Sequence, residues 1–329
     1  MKFGIIGAGR IGKIHAGNVA ARKDCVVSFV ADADQAAAQA LAAATGAKVA
    51  EIDAILASGE VDAVAICAPT DMHADLIEKA ARAKKSIFCE KPVDLDAARI
   101  KKCLEVVKAN GAVLMVGFNR RFDPNFAALK ARIDAGMIGA LEIVSITSRD
   151  PSPPPVSYIA RSGGLYRDMM IHDFDMARFL LGEEPTAISA MGSSLVDKGI
   201  GEAGDVDTAV VIMETKSGKV ATISNSRRAA YGYDQRVEVH GSKGMMHAGN
   251  IRETSVEFAG AGGYVSDKAL NFFLERYAVA YRDELDAFVK GVTTGVAPRP
   301  DGQDGLRANQ LADAAYLSWS TKARVAIPA

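Results

Sequence analysis

Cysteine is scarce in this chain. Four occur in 329 residues, Cys25, Cys67, Cys89 and Cys103, with no CxxC pair and no histidine at ligand spacing. No metal site is legible, and the five scattered histidines exclude a metal hydrolase of the HExxH kind. Cys67 and Cys89 end apolar runs and read as small core residues. Charge of one sign is also missing. Lys and Arg number 39 against 40 Asp and Glu, a net −1, so there is no electrostatic footprint for nucleic acid or an acidic membrane. No apolar stretch approaches the roughly 18 uninterrupted residues that span a bilayer. Met1 runs directly into an apolar strand, with no room for a cleavable signal. The expected location is the cytoplasm. What remains is ordinary for a globular protein, 49% hydrophobic and 24% charged, and long enough for two domains.

The first thirty-two residues carry most of the information. An apolar run, Phe3 to Ile6, leads into Gly7-Ala8-Gly9-Arg10-Ile11-Gly12, then a helical stretch, then a second apolar run, Val26 to Ala31, ending on Asp32. Gly7 permits a tight turn, Gly9 lets backbone approach a pyrophosphate, and Gly12 lets the helix pack close to its strand. N–H groups at the helix start, with the positive end of its dipole, hold the phosphates. Asp32 accepts bonds from both hydroxyls of an adenosine ribose. A GxGxxG alone is weak, but here strand, turn, helix, strand and acid follow in order. The carboxylate repels a 2′-phosphate, and Ala33 and Asp34 supply no arginine to neutralise one, so NAD is expected over NADP.

The expected fold class is α/β. Residues 1–118 alternate short β-branched runs (3–6, 26–31, 62–67, 86–89, 113–116, a weaker one near Val49) with helical segments near 11–22, 34–45, 72–83 and 94–109. This implies a doubly wound parallel sheet with right-handed crossovers and helices on both faces. Ligands of such sheets collect at the carboxyl ends of the strands, where Ala68-Pro69-Thr70 and Glu90-Lys91-Pro92 lie. From 119 to 329 the pattern changes. A helix near 124–135, a strand near 141–148, the loop from Asp150 to Pro155, and a helix near 165–181 precede strands near 186–195, 206–215, 219–227 and 235–240. Lys216-Ser217-Gly218 and Gly241-Ser242-Lys243-Gly244 read as hairpin turns. That is an α+β domain with an open, mainly antiparallel sheet. Two last helices, about 270–291 and 304–322, pack back against the body.

A few residues are candidates for chemistry. Lys91, between a strand end and a proline, is held in place rather than swinging in solvent; a plain surface lysine is the alternative. Asp168 and His172 stand four apart, which on an α-helix puts both on one face. Histidine takes a proton near neutral pH, and a nearby carboxylate orients it. Spacing alone leaves this open against a partly buried structural histidine beside a helix N-terminal acid. His73 reads as capping and packing the start of its helix, near the nicotinamide. Asn119-Arg120-Arg121-Phe122 and Tyr231-Gly232-Tyr233-Asp234 offer polar groups to a substrate, against an inter-domain salt bridge and a polar turn.

The segments GIIGAGRIGKIH, CAPTDMH, CEKPVDLD, GFNRRFDPNF and GGLYRDMMIHDFDMARFLLGEEP, in that order, resemble the glucose–fructose oxidoreductase/inositol dehydrogenase (Gfo/Idh/MocA) family. The resemblance covers essentially the whole chain and is tight to bacterial inositol 2-dehydrogenases from Asn119 to Asp175 and through YGYDQRVEVHGSKG. It implies an N-terminal Rossmann domain and an enzyme whose catalytic residues are Lys91, Asp168 and His172. Lys91 would bond to the reacting hydroxyl while His172 takes its proton and hydride leaves to nicotinamide. Cofactor contacts would come from Gly7, Ala8, Gly9, Arg10, Ile11, Gly12, Asp32, Ala68, Thr70, His73, Glu90 and Lys91. Substrate contacts would come from Lys91, Asn119, Arg121, Asp168, His172 and Tyr233. The implied reaction is oxidation of myo-inositol to scyllo-inosose in inositol catabolism; the alternatives are D-chiro-inositol, scyllo-inositol or an aldose such as glucose. A non-catalytic NAD-responsive regulator is the reading from another class, which loss of Lys91, Asp168 or His172 would favour; all three are present. The family's assemblies, tetramers or dimers across the open sheet, imply a homotetramer. No metal is implied.

Overall fold

The computed structural model of this chain describes residues 1–327; 328 and 329, the end of the expected second domain, lie outside the described residues. The chain forms two compact units, Met1–Asn119 with Ala280–Asn309, and Arg120–Val279 with the segment from Gln310 onward. A single cut at 118/119 does not describe them, because 280–309 return to the first unit. Phe288 gives the physical reason: its ring lies 6.1 Å from Phe3 and 5.8 Å from Phe88, inside the core of the first sheet.

In the first unit the elements run β1 (Lys2–Ile6), α1 (Arg10–Ala20), β2 (Val26–Ala31), α2 (Gln35–Thr45), β3 (Lys48–Val49), α3 (Ile52–Ala57), β4 (Ala63–Ile66), α4 (Thr70–Arg82), β5 (Ser86–Glu90), α5 (Ala97–Asn110) and β6 (Leu114–Gly117). All six strands are parallel, in the order β3-β2-β1-β4-β5-β6. The order reverses between β1 and β4, and a doubly wound sheet binds its ligand at the strand ends there. β4 and β6 are buried on both faces, which is why they read as unbroken apolar runs. Asp34 starts α2 by accepting the N–H groups of Ala36 and Ala37, and Asp96 starts α5 on Ala98. Helix α3 is unexpected; six residues are too short to show a helical period.

The second unit is an α+β domain. Its elements are α6 (Pro124–Asp134), β7 (Leu141–Arg149), α7 (Val156–Ser162), a π-helical turn (Leu165–Met169), α8 (Ile171–Leu181), β8 (Pro185–Ser193), α9 (Lys198–Glu202), β9 (Thr208–Thr215), β10 (Val220–Ser226), β11 (Asp234–Gly241), β12 (Gly244–Ala248), the hairpin β13 (Glu257–Gly260) and β14 (Gly263–Ser266), α10 (Phe273–Arg276) and β15 (Val325–Ala326). Two further helices, α11 (Ala278–Thr294) and α12 (Gly302–Thr321), are divided between the units. The seven-stranded sheet runs β12-β11-β7-β10-β9-β8-β15. Only β7 and β10 pair in parallel, and both expected hairpins form, β9 to β10 and β11 to β12. Alternation of buried and exposed residues along β9, and along β11 from Gln235 onward, marks one face as core. The opposite face exposes Ile143, Met191, Val210, Ile212 and Met245, which register pairing puts on one side.

Residues 165–181 are not a continuous α-helix. Gly163 and Gly164 both have positive φ, +83° and +80°, and Asp205 accepts the N–H of Leu165 at 2.9 Å. The chain therefore opens with a π turn, closed by Met170 N–H on Leu165 O, before α8 begins. Asp168 and His172 lie on either side of that change of pitch, a common feature of functional sites. None of the described helices is long and apolar enough to cross a membrane.

Candidate active site

At the carboxyl end of β1 the three glycines differ in what surrounds them. Gly7 sits at φ +106°, where a Cβ would lie 2.5 Å from the carbonyl of Cys67; a Cβ on Gly12 would lie 1.9 Å from Gly7 O; around Gly9 nothing comes within 4 Å. Two glycines are required by the protein itself, and the third keeps open the space at the start of α1. That helix has no side-chain cap and no acid in its first turn, so its leading N–H groups and dipole are available to an anion. Ala8, Arg10 and Ile11 follow the same turn. Asp32 is already engaged: Oδ2 accepts the N–H of Ala8 at 2.5 Å and Oδ1 that of Asp34 at 2.8 Å. Each carboxylate oxygen has a second lone pair, which leaves acceptors for ribose hydroxyls and adds a structural duty the motif did not reveal.

The next strand ends bring Ala68, Thr70, His73, Glu90 and Lys91 to the same side of the sheet. His73 is buried within α4 rather than at its cap, which is Pro69. Its Nε2 lies 2.7 Å from Ala68 O and its Nδ1 2.7 Å from Pro92 O. A neutral imidazole donates to one of these carbonyls and an imidazolium to both; either way the ring spans the β4 and β5 loops. Lys91, half-buried, precedes a cis peptide to Pro92, and the His73 contact holds the carbonyl just beyond it. Glu90 does not present its carboxylate as a free cofactor contact. Oε1 lies 2.7 Å from His15 Nε2, and the group rests over Gly117, where a Cβ would meet it at 3.1 Å.

In the second unit the register assembles a polar cluster. Arg149 pairs with Ser226 on β10 and with Asp234 on β11, so the next residues outward, Asp150, Arg227 and Tyr233, leave three adjacent strands at one end of the sheet. Arg227 is 2% exposed. It lies between two carboxylates, Nη1 3.9 Å from Asp150 and Nη2 3.5 Å from Asp168. Tyr158 donates to Asp168 at 3.1 Å. Burial pushes the Asp150 carboxyl up to about 6, with Asp168 adding to the shift and Arg227 opposing it. Tyr233 is buried and packs edge-on against Tyr277, and burial raises its phenol well above the usual range.

His172 opens α8 beside Asp173, whose carboxylate takes Asn225 Nδ2 at 2.9 Å and the Arg120 guanidinium. Arg120 also donates to Ser148 near the end of β7. The start of α8 is thereby fixed over the same sheet end. Arg121, expected at the substrate, forks onto buried Asp175, at 2.7 Å from Nε and 2.6 Å from Nη2, and stacks 5.0 Å from the Phe179 ring. Asn119 is buried at the start of the 3₁₀ turn Asn119–Phe122. Asp150 and Arg227 are absent from the sequence-based candidates. Their only local signals are a proline-rich loop and an arginine pair, each just past a strand end.

Comparison with known proteins gives a consistent picture. The family described as "Oxidoreductase family, NAD-binding Rossmann fold" matches residues 1–118, and the GFO/IDH/MocA C-terminal domain matches residues 126–247. An inositol 2-dehydrogenase of Rhizobium meliloti is 57% identical over 99% of each chain. A crystal structure of a myo-inositol dehydrogenase from Corynebacterium glutamicum superposes with TM-score 0.96 at 42% identity, covering 100% of this chain and 99% of that one. A scyllo-inositol dehydrogenase from Lactobacillus casei, with bound NAD(H) and scyllo-inositol, gives 0.92 at 29% identity over 99% and 98%.

Proposed function

The chain belongs to the GFO/IDH/MocA oxidoreductase family and takes NAD as its cofactor, and we propose that it oxidises myo-inositol to scyllo-inosose. The observation that carries this reading is the set Asp150–Arg227–Asp168, a buried cation between two half-buried carboxylates, with His172 and Tyr233 at the same sheet end: donors and acceptors suited to a ring bearing a hydroxyl on every carbon. The relatives named for inositols support the same substrate class.

Oxidation of a secondary alcohol needs a base at the hydroxyl and a route for hydride to nicotinamide. In the proposed roles His172 takes the hydroxyl proton, Asp168 orients it and stabilises the resulting charge, and the Lys91 ammonium stabilises the developing alkoxide. Asn119, Arg121 and Tyr233 read the remaining hydroxyls. The reacting hydroxyl of myo-inositol is axial, which leaves its carbinol hydrogen equatorial. Scyllo-inositol presents an equatorial hydroxyl instead and leaves a buried polar group unpaired, at about 1–3 kcal/mol, enough for tenfold discrimination.

Initial rates of NADH formation with myo-, scyllo- and D-chiro-inositol and glucose at equal concentration test the assignment. Myo-inositol should be fastest. Good activity on an aldose with none on any inositol would overturn the substrate and leave the hydride transfer standing. The exposed apolar face of the second sheet supports association into a homotetramer. Light scattering on the wild type and on Val210→Lys tests it, with the lysine variant expected to dissociate.

A further inference from the structure

A second polar cluster lies inside the first unit, and the proposed reaction does not account for it. Glu284, on α11, is wholly buried, and neither of its carboxyl oxygens has a hydrogen-bond partner. It faces His15 of α1 and Glu90 of β5, and the ligand-capable atoms of the three lie within 4.8 Å of one another. His15 is wholly buried, already 2.7 Å from Glu90, and enclosed by aromatic rings, Phe88 at 4.7 Å and Tyr281 at 5.8 Å. Gly117, paired with Glu90 in the sheet, leaves the room that the carboxylate occupies.

We propose that Glu284 is a positioning residue for Lys91: a neutral acid packed against Glu90 that, together with His15, holds the Glu90-Lys91-Pro92 strand end in its active arrangement. Two carboxylates this close in a dry, aromatic-walled site do not both ionise. The titratable groups around Glu284 are His15 from α1, Cys67 after β4, Glu90 from β5, and Tyr281 on its own helix, with Cys89 on the other face of β5. Burial and the Glu90 charge both raise the Glu284 carboxyl, and burial holds the Cys67 and Cys89 thiols neutral by pushing them far up. Glu90, one residue before Lys91, is held by His15 on one side, and the neutral Glu284 carboxyl closes the cluster on the other without adding a second charge. Like the reading above, this rests on Lys91 acting in the reaction.

The test separates the acid from its bulk. Glu284→Gln keeps shape, polarity and neutrality and should hold kcat within about threefold, whereas Glu284→Met keeps bulk alone and should lose about tenfold in kcat, the scale of one buried polar interaction. The Kd for NAD should barely move in either variant. Infrared spectra at mildly alkaline pH should show the carbonyl stretch of a protonated carboxylic acid in the wild type and not in Glu284→Gln, a readout that needs no turnover and no folded Met variant. Absence of that band in the wild type, wild-type kcat for Glu284→Met, or one equivalent of tightly held metal in the purified protein would each overturn the proposal. Full activity of Lys91→Met would instead sink the catalytic reading, with the infrared band unchanged.

Discussion

At the strand ends of the first unit the atoms on offer are main-chain atoms: the N–H groups leading α1, the open space over Gly9, and a carboxylate already tied to Ala8 N–H. At the sheet end of the second unit they are charged side chains packed against one another, buried Arg227 between half-buried Asp150 and Asp168, and buried Arg120 on buried Asp173. The first arrangement costs little to leave without a ligand, because exposed N–H groups are hydrated. The second is expensive to disturb, because removing one member strands a buried charge. The lesson is that a nucleotide site tolerates side-chain variation outside its glycines, while a site built like the proposed polyol site is also part of the core.

The largest effects should separate chemistry from both architectures. Lys91→Met and His172→Ala should lower turnover by about 10²–10⁴-fold while NAD titration gives a near wild-type Kd. Steady-state rates within a few-fold of wild type for either variant would refute its role. Next comes Arg227→Met, which leaves Asp150 and Asp168 facing each other without their cation. Breaking a buried pair costs about 3–5 kcal/mol, and the urea midpoint should fall accordingly. Adding Asp150→Asn to that background should recover part of the loss, and a strictly additive double mutant would show that the two residues are not coupled.

The glycines sharpen the contrast from the other side. Gly12→Ala should destabilise the fold by about 1–3 kcal/mol, because its Cβ lands on Gly7 O. Gly9→Ala should leave the melting temperature unchanged and weaken NAD, since only the ligand needs that space. If both variants melt alike, the division between fold glycines and ligand glycine is wrong. Asp32→Ala should raise activity with NADP relative to NAD and also lower stability modestly, through the lost contacts to Ala8 and Asp34.

The smallest effect is a pH slope. The Asp150 carboxyl sits at about 6 in the fold against an ordinary aspartate value of 3.8, so the folded state binds the proton more tightly than the unfolded one. Its contribution is therefore fully present at low pH and lost as pH rises from about 4 to about 6, by about 1–2 kcal/mol after allowance for its partial exposure. Urea midpoints across that window should decline in the wild type relative to Asp150→Asn. Parallel curves would show that Asp150 titrates normally.

The parts of the molecule that are legible in the sequence are those whose physics is local. Phe3 to Asp32 declare strand, turn, helix, strand and acid within one short stretch, and the parallel alternation follows from buried apolar runs between amphipathic helices. The π turn at Leu165–Met169 is not legible, because it depends on two positive-φ glycines and on an Asp205 contact forty residues away. The short α3, α7 and α9 carry too few residues to show a period. Lys91, Asp168 and His172 come from motifs and resemblance. Spacing alone leaves the last two open.

By itself, the order of residues determined the parallel sheet, the nucleotide turn and the choice of NAD, because each follows from steric and electrostatic demands among neighbours in the chain. Only the tertiary structure decided that Phe288 and Glu284 join the first unit, and that Asp150, Arg227 and Tyr233 stand side by side. Those decisions rest on strand register and on helix packing between distant segments, where burial of charge is set by what else arrives.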